Sequence, residues 1–181
     1  MPHHEALKPY LEPGMEVFYE VVGYYGPNEE NTIMPIGDNT KVNDKAFVKQ
    51  FGKRSIFSYG CEPGQSKMYI YRITSENGER EWTPDEITEW CNSHGFNRVP
   101  VIEDFEFTTV DDLQNRINKY FEDLADPIGR THVKEGVVIR IVNRRTFTAF
   151  KSKTYEFKVI EGIIKENETA PDMEEAQEEE I

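Results

Sequence analysis

Val133 to Lys153, VKEGVVIRIVNRRTFTAFKSK, decides how this chain folds. Two runs rich in β-branched and aromatic residues, Val133 to Val142 and Thr146 to Lys151, flank Asn143-Arg144, which predicts two strands joined by a tight connection. Extended backbone sends alternate side chains to opposite faces. In the first run Glu135, Val137, Ile139 and Ile141 therefore share one face, and Gly136, Val138, Arg140 and Val142 the other. Glu135 leads an otherwise apolar row, as a carboxylate at a sheet rim does. In the second run Phe147, Ala149, Lys151 and Lys153 fall on one face, so two ammonium groups project side by side. Such a pair repels itself unless an anion lies between. A nucleotide phosphate would serve, and the lysines would then stabilise charge that builds during phosphoryl or nucleotidyl transfer.

Working outward, Met15 to Tyr25 (MEVFYEVVGYY) reads as a strand ending at Gly26-Pro27. Residues 26–66 mix Gly, Pro, Asn and charges and predict irregular structure with room for a short helix. Lys67 to Thr74 (KMYIYRIT) alternates as a strand does, and Glu76-Asn77-Gly78 closes it, with a hairpin partner expected on one side. Thr83-Pro84-Asp85-Glu86 is a capping box ahead of a helix to about Ser93, stopped by Gly95. Arg98 to Phe107 is read as a further strand. Thr109 to Asp112 then opens a second helix, with Leu113, Ile117, Tyr120, Phe121 and Leu124 on one face. Strands with separate helical insertions, without βα alternation, make the fold class α+β with largely antiparallel sheets.

A chain of 181 residues with 37% apolar content suits one core. It holds no apolar run long enough to span a membrane, and MPHHEALKPYLEPG lacks the pattern of a signal peptide, so the expected location is cytoplasmic. Cys61 and Cys91 sit in no ligand spacing and read as ordinary thiols. The net charge of −13 speaks against a nucleic-acid partner, but it is unevenly distributed. Residues 165–181 carry eight acids against Lys165 and read as an acidic disordered tail, leaving residues 1–164 as the foldable part. Residues 130–158 hold eight Lys or Arg against Glu135 and Glu156.

EGVVIR, beginning at Glu135, resembles the fourth signature motif of the covalent nucleotidyltransferase superfamily, which comprises ATP-dependent DNA and RNA ligases and messenger-RNA capping enzymes. AFKSKTYEFKVIEG, Ala149 to Gly162, resembles the fifth motif with its lysine pair. VFYEVVGYY, with Glu20 and Gly23, resembles the third, and KMYIYRI the aromatic strand that follows it. Order and spacing also match, over roughly residues 14–164, and the long connection before EGVVIR is similar to that of the RNA-ligase branch. The resemblance implies an incomplete nucleotidyltransferase core of ATP-grasp-like kind, using ATP and Mg2+. It implies that Glu20 contacts the ribose or the reacting lysine and that Tyr71 stacks on the adenine, with Tyr69 read as pointing to the opposite face. It further implies that Glu135 binds magnesium or orients substrate, and that Lys151 and Lys153 hold the α-phosphate.

In that superfamily a lysine in a Lys-x-Asp/Asn-Gly motif attacks the α-phosphorus of ATP. Lys8, in LKPYL, and Lys41, in Lys-Val-Asn-Asp, do not fit it. The expected protein is thus the C-terminal portion of an RNA ligase that joins 5′-phosphate and 3′-hydroxyl RNA ends, inactive without a lysine-bearing N-terminal fragment. RNA ends and that fragment are its expected partners. The same residues also suit a non-catalytic nucleotide- or RNA-binding remnant, and the tail alone would suit a structural protein that recruits basic partners.

Overall fold

The computed structural model describes residues 2–142, 144, 146–164 and 173–175. In chain order the elements are α1 (Pro2–Leu7), β1 (Glu16–Gly23), β2 (Gly37–Asp38), α2 (Lys45–Phe51), β3 (Arg54–Ser55), β4 (Ser66–Ser75), β5 (Arg80–Glu81), α3 (Pro84–His94), β6 (Asn97–Arg98), α4 (Val110–Phe121), β7 (Gly136–Ile141), β8 (Thr148–Lys153), α5 (Tyr155–Glu161) and β9 (Met173–Glu175). The first sheet runs β1-β4-β5, with β6 also on β4; the second is the β2-β3 pair, and the third runs β7-β8-β9. Every pairing is antiparallel except β4 with β6, so the fold is α+β as the patterning predicts.

The predicted strands and helices form for the reasons read in the sequence. At Glu76-Asn77-Gly78 all three residues take positive φ (56°, 58° and 91°), which closes the β4–β5 hairpin. Thr83 Oγ1 accepts from Glu86 N at 3.3 Å and Glu86 Oε2 accepts from Thr83 N at 2.7 Å, the reciprocal bonds of a capping box. Ile87 and Cys91, one turn apart, bury the inner stripe of α3 against Leu7, Met68, Ile70 and Ile73. Val17 and Tyr19 add to that core from β1, while Val22, on the other face of the strand, joins a second core with Phe47, Phe57, Val133, Phe157 and Ile160. The first sheet thus separates two cores, and α5 packs in the second. Both cysteines are buried free thiols.

Two differences from the sequence reading have physical causes. The strand expected over Arg98 to Phe107 is only Asn97–Arg98 long. Val99 N still donates to Ile70 O at 3.0 Å, but Pro100 then has no N–H, and Val101, Ile102 and Phe107 lie exposed. Helix α5 was not foreseen, because Phe157, Lys158, Val159 and Ile160 are all buried and leave no amphipathic stripe. Its ends were legible: Thr154 caps Phe157 N, and Gly162 takes φ 77°. The acidic segment 165–181 lies outside the described residues except for Met173–Glu175, whose backbone pairs with β8. Among the described residues no helix is long and apolar enough to cross a membrane.

The third sheet meets the first at a charged joint. Arg72 of β4 and Arg140 of β7 both bind Glu81 of β5, Arg140 Nη2 also donates to Trp82 O at 2.9 Å, and both guanidinium groups lie against the Phe147 ring. Within the hairpin, Gly136 faces Lys153, and a Cβ on it would lie 2.1 Å from Ser152 O. Gly136→Ala is therefore expected to destabilise the protein by about 2–3 kcal/mol. Urea unfolding checks this, and a loss below about 0.5 kcal/mol would mean that the hairpin backbone yields.

Candidate active site

Glu135 stands immediately before β7, and its backbone is fixed from the far side of the hairpin. Thr154 N donates to Glu135 O at 2.9 Å, and Thr154 Oγ1 donates to Lys134 O at 2.7 Å. Thr154 is buried, so one residue both starts α5 and positions the carboxylate. The carboxylate accepts from Lys151 Nζ at 2.5 Å. Lys153 Nζ instead donates to Glu161 Oε2 of α5 at 2.9 Å, above the Phe157 ring. Each lysine thus has its own carboxylate, and the repulsion expected between them is relieved inside the protein. The register places Val138 opposite Lys151 and Arg140 opposite Ala149, so Lys151 shares its face with Arg140 and looks toward the joint and the first sheet.

That sheet contributes Glu20, which pairs with Tyr69 across β1 and β4. Cross-strand partners share a face, so Tyr69 lies on the Glu20 side, with Phe18 and Val22. The expectation that Tyr69 and Tyr71 point to opposite faces is corrected here: strict alternation lapses at a bulge, and the Tyr71 ring lies near that of Phe18, on the Glu20 side. Tyr71 is the extra residue of a bulge between Phe18 and Tyr19, and its ring lies 6.4 Å from that of Phe18. Tyr71 is 40% exposed, whereas Tyr69 packs against the second core.

Glu20 and Glu135 both act electrostatically on Tyr59. The Tyr59 hydroxyl donates to Met34 Sδ at 3.5 Å, and its pKa is raised by burial first and then by Glu135, Asp126 and Glu20. Carboxylates from β1, from the connection after α4 and from the residue before β7 therefore all bear on one buried phenol. Sequence reasoning missed Tyr59, Asp126 and Thr154.

Beneath this point lies a buried polar layer. Asp126 N donates to His132 O at 3.0 Å, and Asp126 Oδ1 accepts from Ile128 N at 2.8 Å. His132 is fully buried between Phe57 and Tyr59, at 5.0 and 4.5 Å between ring centres. Its Nδ1 faces Val133 O at 2.9 Å, which assigns the proton to Nδ1 and leaves Nε2 as a buried acceptor without a partner among the described residues. Burial pushes the Asp126 carboxyl up and the His132 imidazole down, so both are driven toward their neutral forms. Lys134 Nζ donates to Tyr120 O at 2.6 Å and sits over the Tyr120 ring; burial lowers its pKa.

Most of the basic island is thereby neutralised or buried within the molecule. Arg130 binds Asp123, Arg140 binds Glu81, Lys151 and Lys153 bind their glutamates, and Lys134 and Lys158 are buried. Among the described residues, no three His, Cys, Asp or Glu are grouped to hold a metal. The Glu135–Lys151 ion pair joins a carboxylate to a lysine that is partly exposed, chemistry suited to an anion with its counter-ion. A family model described as RNA ligase matches residues 3–160, and no curated protein and no solved structure matches the chain.

Proposed function

The chain belongs to the RNA ligase family, and from that premise we propose that it is the C-terminal part of an ATP-dependent adenylyltransferase domain. The observation that carries this is the Glu135–Lys151 pair, whose carboxylate acts on Tyr59 together with that of Glu20. In the proposed reaction a lysine attacks the α-phosphorus of ATP, a P–N bond forms, and pyrophosphate leaves. The 181 residues contain no Lys-x-Asp-Gly or Lys-x-Asn-Gly, and in this reading that lysine would come from a segment outside them. Lys151 would release Glu135 to bind the α-phosphate, with Lys153 alongside. Glu20 would hold the ribose or the attacking lysine, and Tyr71 would stack on the adenine with its exposed face. Glu135, freed of Lys151, would hold Mg2+, which takes one or two carboxylates together with phosphate oxygens and lends positive charge to the reacting phosphate. In the complete enzyme the adenylate would serve to join 5′-phosphate and 3′-hydroxyl RNA ends.

The test combines this chain with a fragment of a related ligase that carries the lysine motif, and follows label from α-labelled ATP into protein. Labelling is expected, and Lys151→Ala or Lys153→Ala should reduce it by about 100-fold or more. Equal labelling of these variants would rule out the site assignment. A non-catalytic nucleotide- or RNA-binding remnant predicts no labelling with any fragment.

A further inference from the structure

With the basic island largely engaged internally, the cations that face solvent lie elsewhere. Residues 41–54 carry Lys41, Lys45, Lys49, Lys53 and Arg54 against Asp44 alone, in a chain of net charge −13. All five are exposed. Asp44 is occupied as the cap of α2, accepting from Ala46 N at 2.7 Å and Phe47 N at 3.1 Å. Among the described residues none of the five forms an ion pair. Lys45 and Lys49 stand one turn apart, about 6 Å along the helix axis, where like charges weaken a helix unless an anion bridges them. The surface is held firm from below: buried Asn39 donates to Gly52 O at 3.0 Å and accepts from Ser55 Oγ at 2.7 Å, and Asn39 N donates to Lys53 O at 3.0 Å.

We propose that this surface, from Lys41 to Arg54, holds the phosphate backbone of the RNA strand whose end is to be joined; the inference rests on the RNA-ligase reading above. Asp38 lies opposite Arg54 in the β2–β3 pair and interacts with Lys41, but five cations still outnumber Asp38 and Asp44, and such a fixed excess on an acidic protein is what a polyanion requires, both for affinity and to overcome long-range repulsion. Its position suits the same strand reaching Lys151 and Lys153. Lys41 Nζ donates to Ile160 O of α5 at 3.2 Å, and α5 begins directly after Lys151, Lys153 and Thr154. The neighbouring acid of α5, Glu156, is pushed toward its neutral form by burial first and then by Asp44, so it opposes an anion less than its formal charge suggests.

The experiment measures anisotropy of a fluorescent single-stranded RNA with the full chain, from 50 to 200 mM salt. The combined change Lys45→Glu and Lys49→Glu should weaken binding by at least about tenfold, and Lys45→Gln with Lys49→Gln should lower the salt slope by about 1.4, the contribution of two phosphates. Lys119→Glu, an exposed cation on α4, should leave binding within about twofold. Absent RNA binding by the unaltered chain, unchanged binding by the α2 variants, or an equal loss with Lys119→Glu would each overturn the inference. So would binding of a peptide of residues 165–181 in place of RNA, which would assign the surface to an acidic protein segment. Labelling with ATP separates this from the premise: variants that label normally but lose RNA support the surface. Loss of RNA by the variants in a protein that never labels keeps the surface and rejects the ligase.

Discussion

Glu81→Ala is expected to lower the free energy of unfolding by about 3 kcal/mol or more, the largest stability effect anticipated for a single side chain here. Glu81 is the one carboxylate between two guanidinium groups, and the side chains of Arg72, Glu81 and Arg140 are only 19%, 11% and 18% exposed. Removing it leaves two partly buried cations facing each other across the Phe147 ring. The cost comes from stranding those charges rather than from the net worth of the bonds, so Glu81→Ala combined with Arg140→Met should recover part of it. Urea unfolding reads both. A loss below about 1 kcal/mol, or no recovery in the double variant, would show that water reaches the joint freely. Because the joint ties the Glu20 sheet to the Lys151 hairpin, the same variant should also weaken nucleotide binding.

The parts of this fold that were legible in the sequence are those specified by neighbours along the chain. The capping box at Thr83, the turn at Glu76-Asn77-Gly78 and the β7–β8 hairpin each depend on a few adjacent residues. Helix α5 escaped because burial on all sides erases the periodic signal, although its Thr154 cap and Gly162 stop were in view. The strand assigned to Arg98–Phe107 shows the reverse fault: its composition suits a strand, but Pro100 and the exposed acids beyond it give no second chain a ladder to join.

For the site, the sequence placed Glu135 inside a strand over Val133 to Val142, whereas β7 begins at Gly136 and Glu135 stands just before it; the lysine pair lies on the next strand as read. It could not show that Lys151 and Lys153 take separate carboxylates, since Glu161 belongs to the unforeseen helix. Nor could it show Tyr59, which becomes a site residue only when β1, the connection after α4 and β7 converge on it. Charge counting along residues 130–158 overstated the open cationic surface for the same reason: partners such as Asp123 and Glu81 come from other segments.

Glu135→Gln should separate binding from chemistry. At 2.5 Å the Glu135 carboxylate occupies the ammonium that the α-phosphate is proposed to need, so nucleotide must displace one anion with another. Removing the negative charge removes that competitor, and affinity for ATP measured without metal should rise by about threefold to tenfold. Adenylate formation in the complemented complex with Mg2+ should nevertheless fall by about 100-fold, because the carboxylate proposed to carry the metal is gone. Lys151→Ala should reduce both quantities, since it deletes the group that binds the phosphate in the ground state and as charge builds. The two substitutions should therefore have opposite signs in metal-free binding and the same sign in labelling. If Glu135→Gln weakens metal-free binding as much as Lys151→Ala does, then Glu135 acts by positioning Lys151, and the metal must be held by another of the carboxylates around Tyr59.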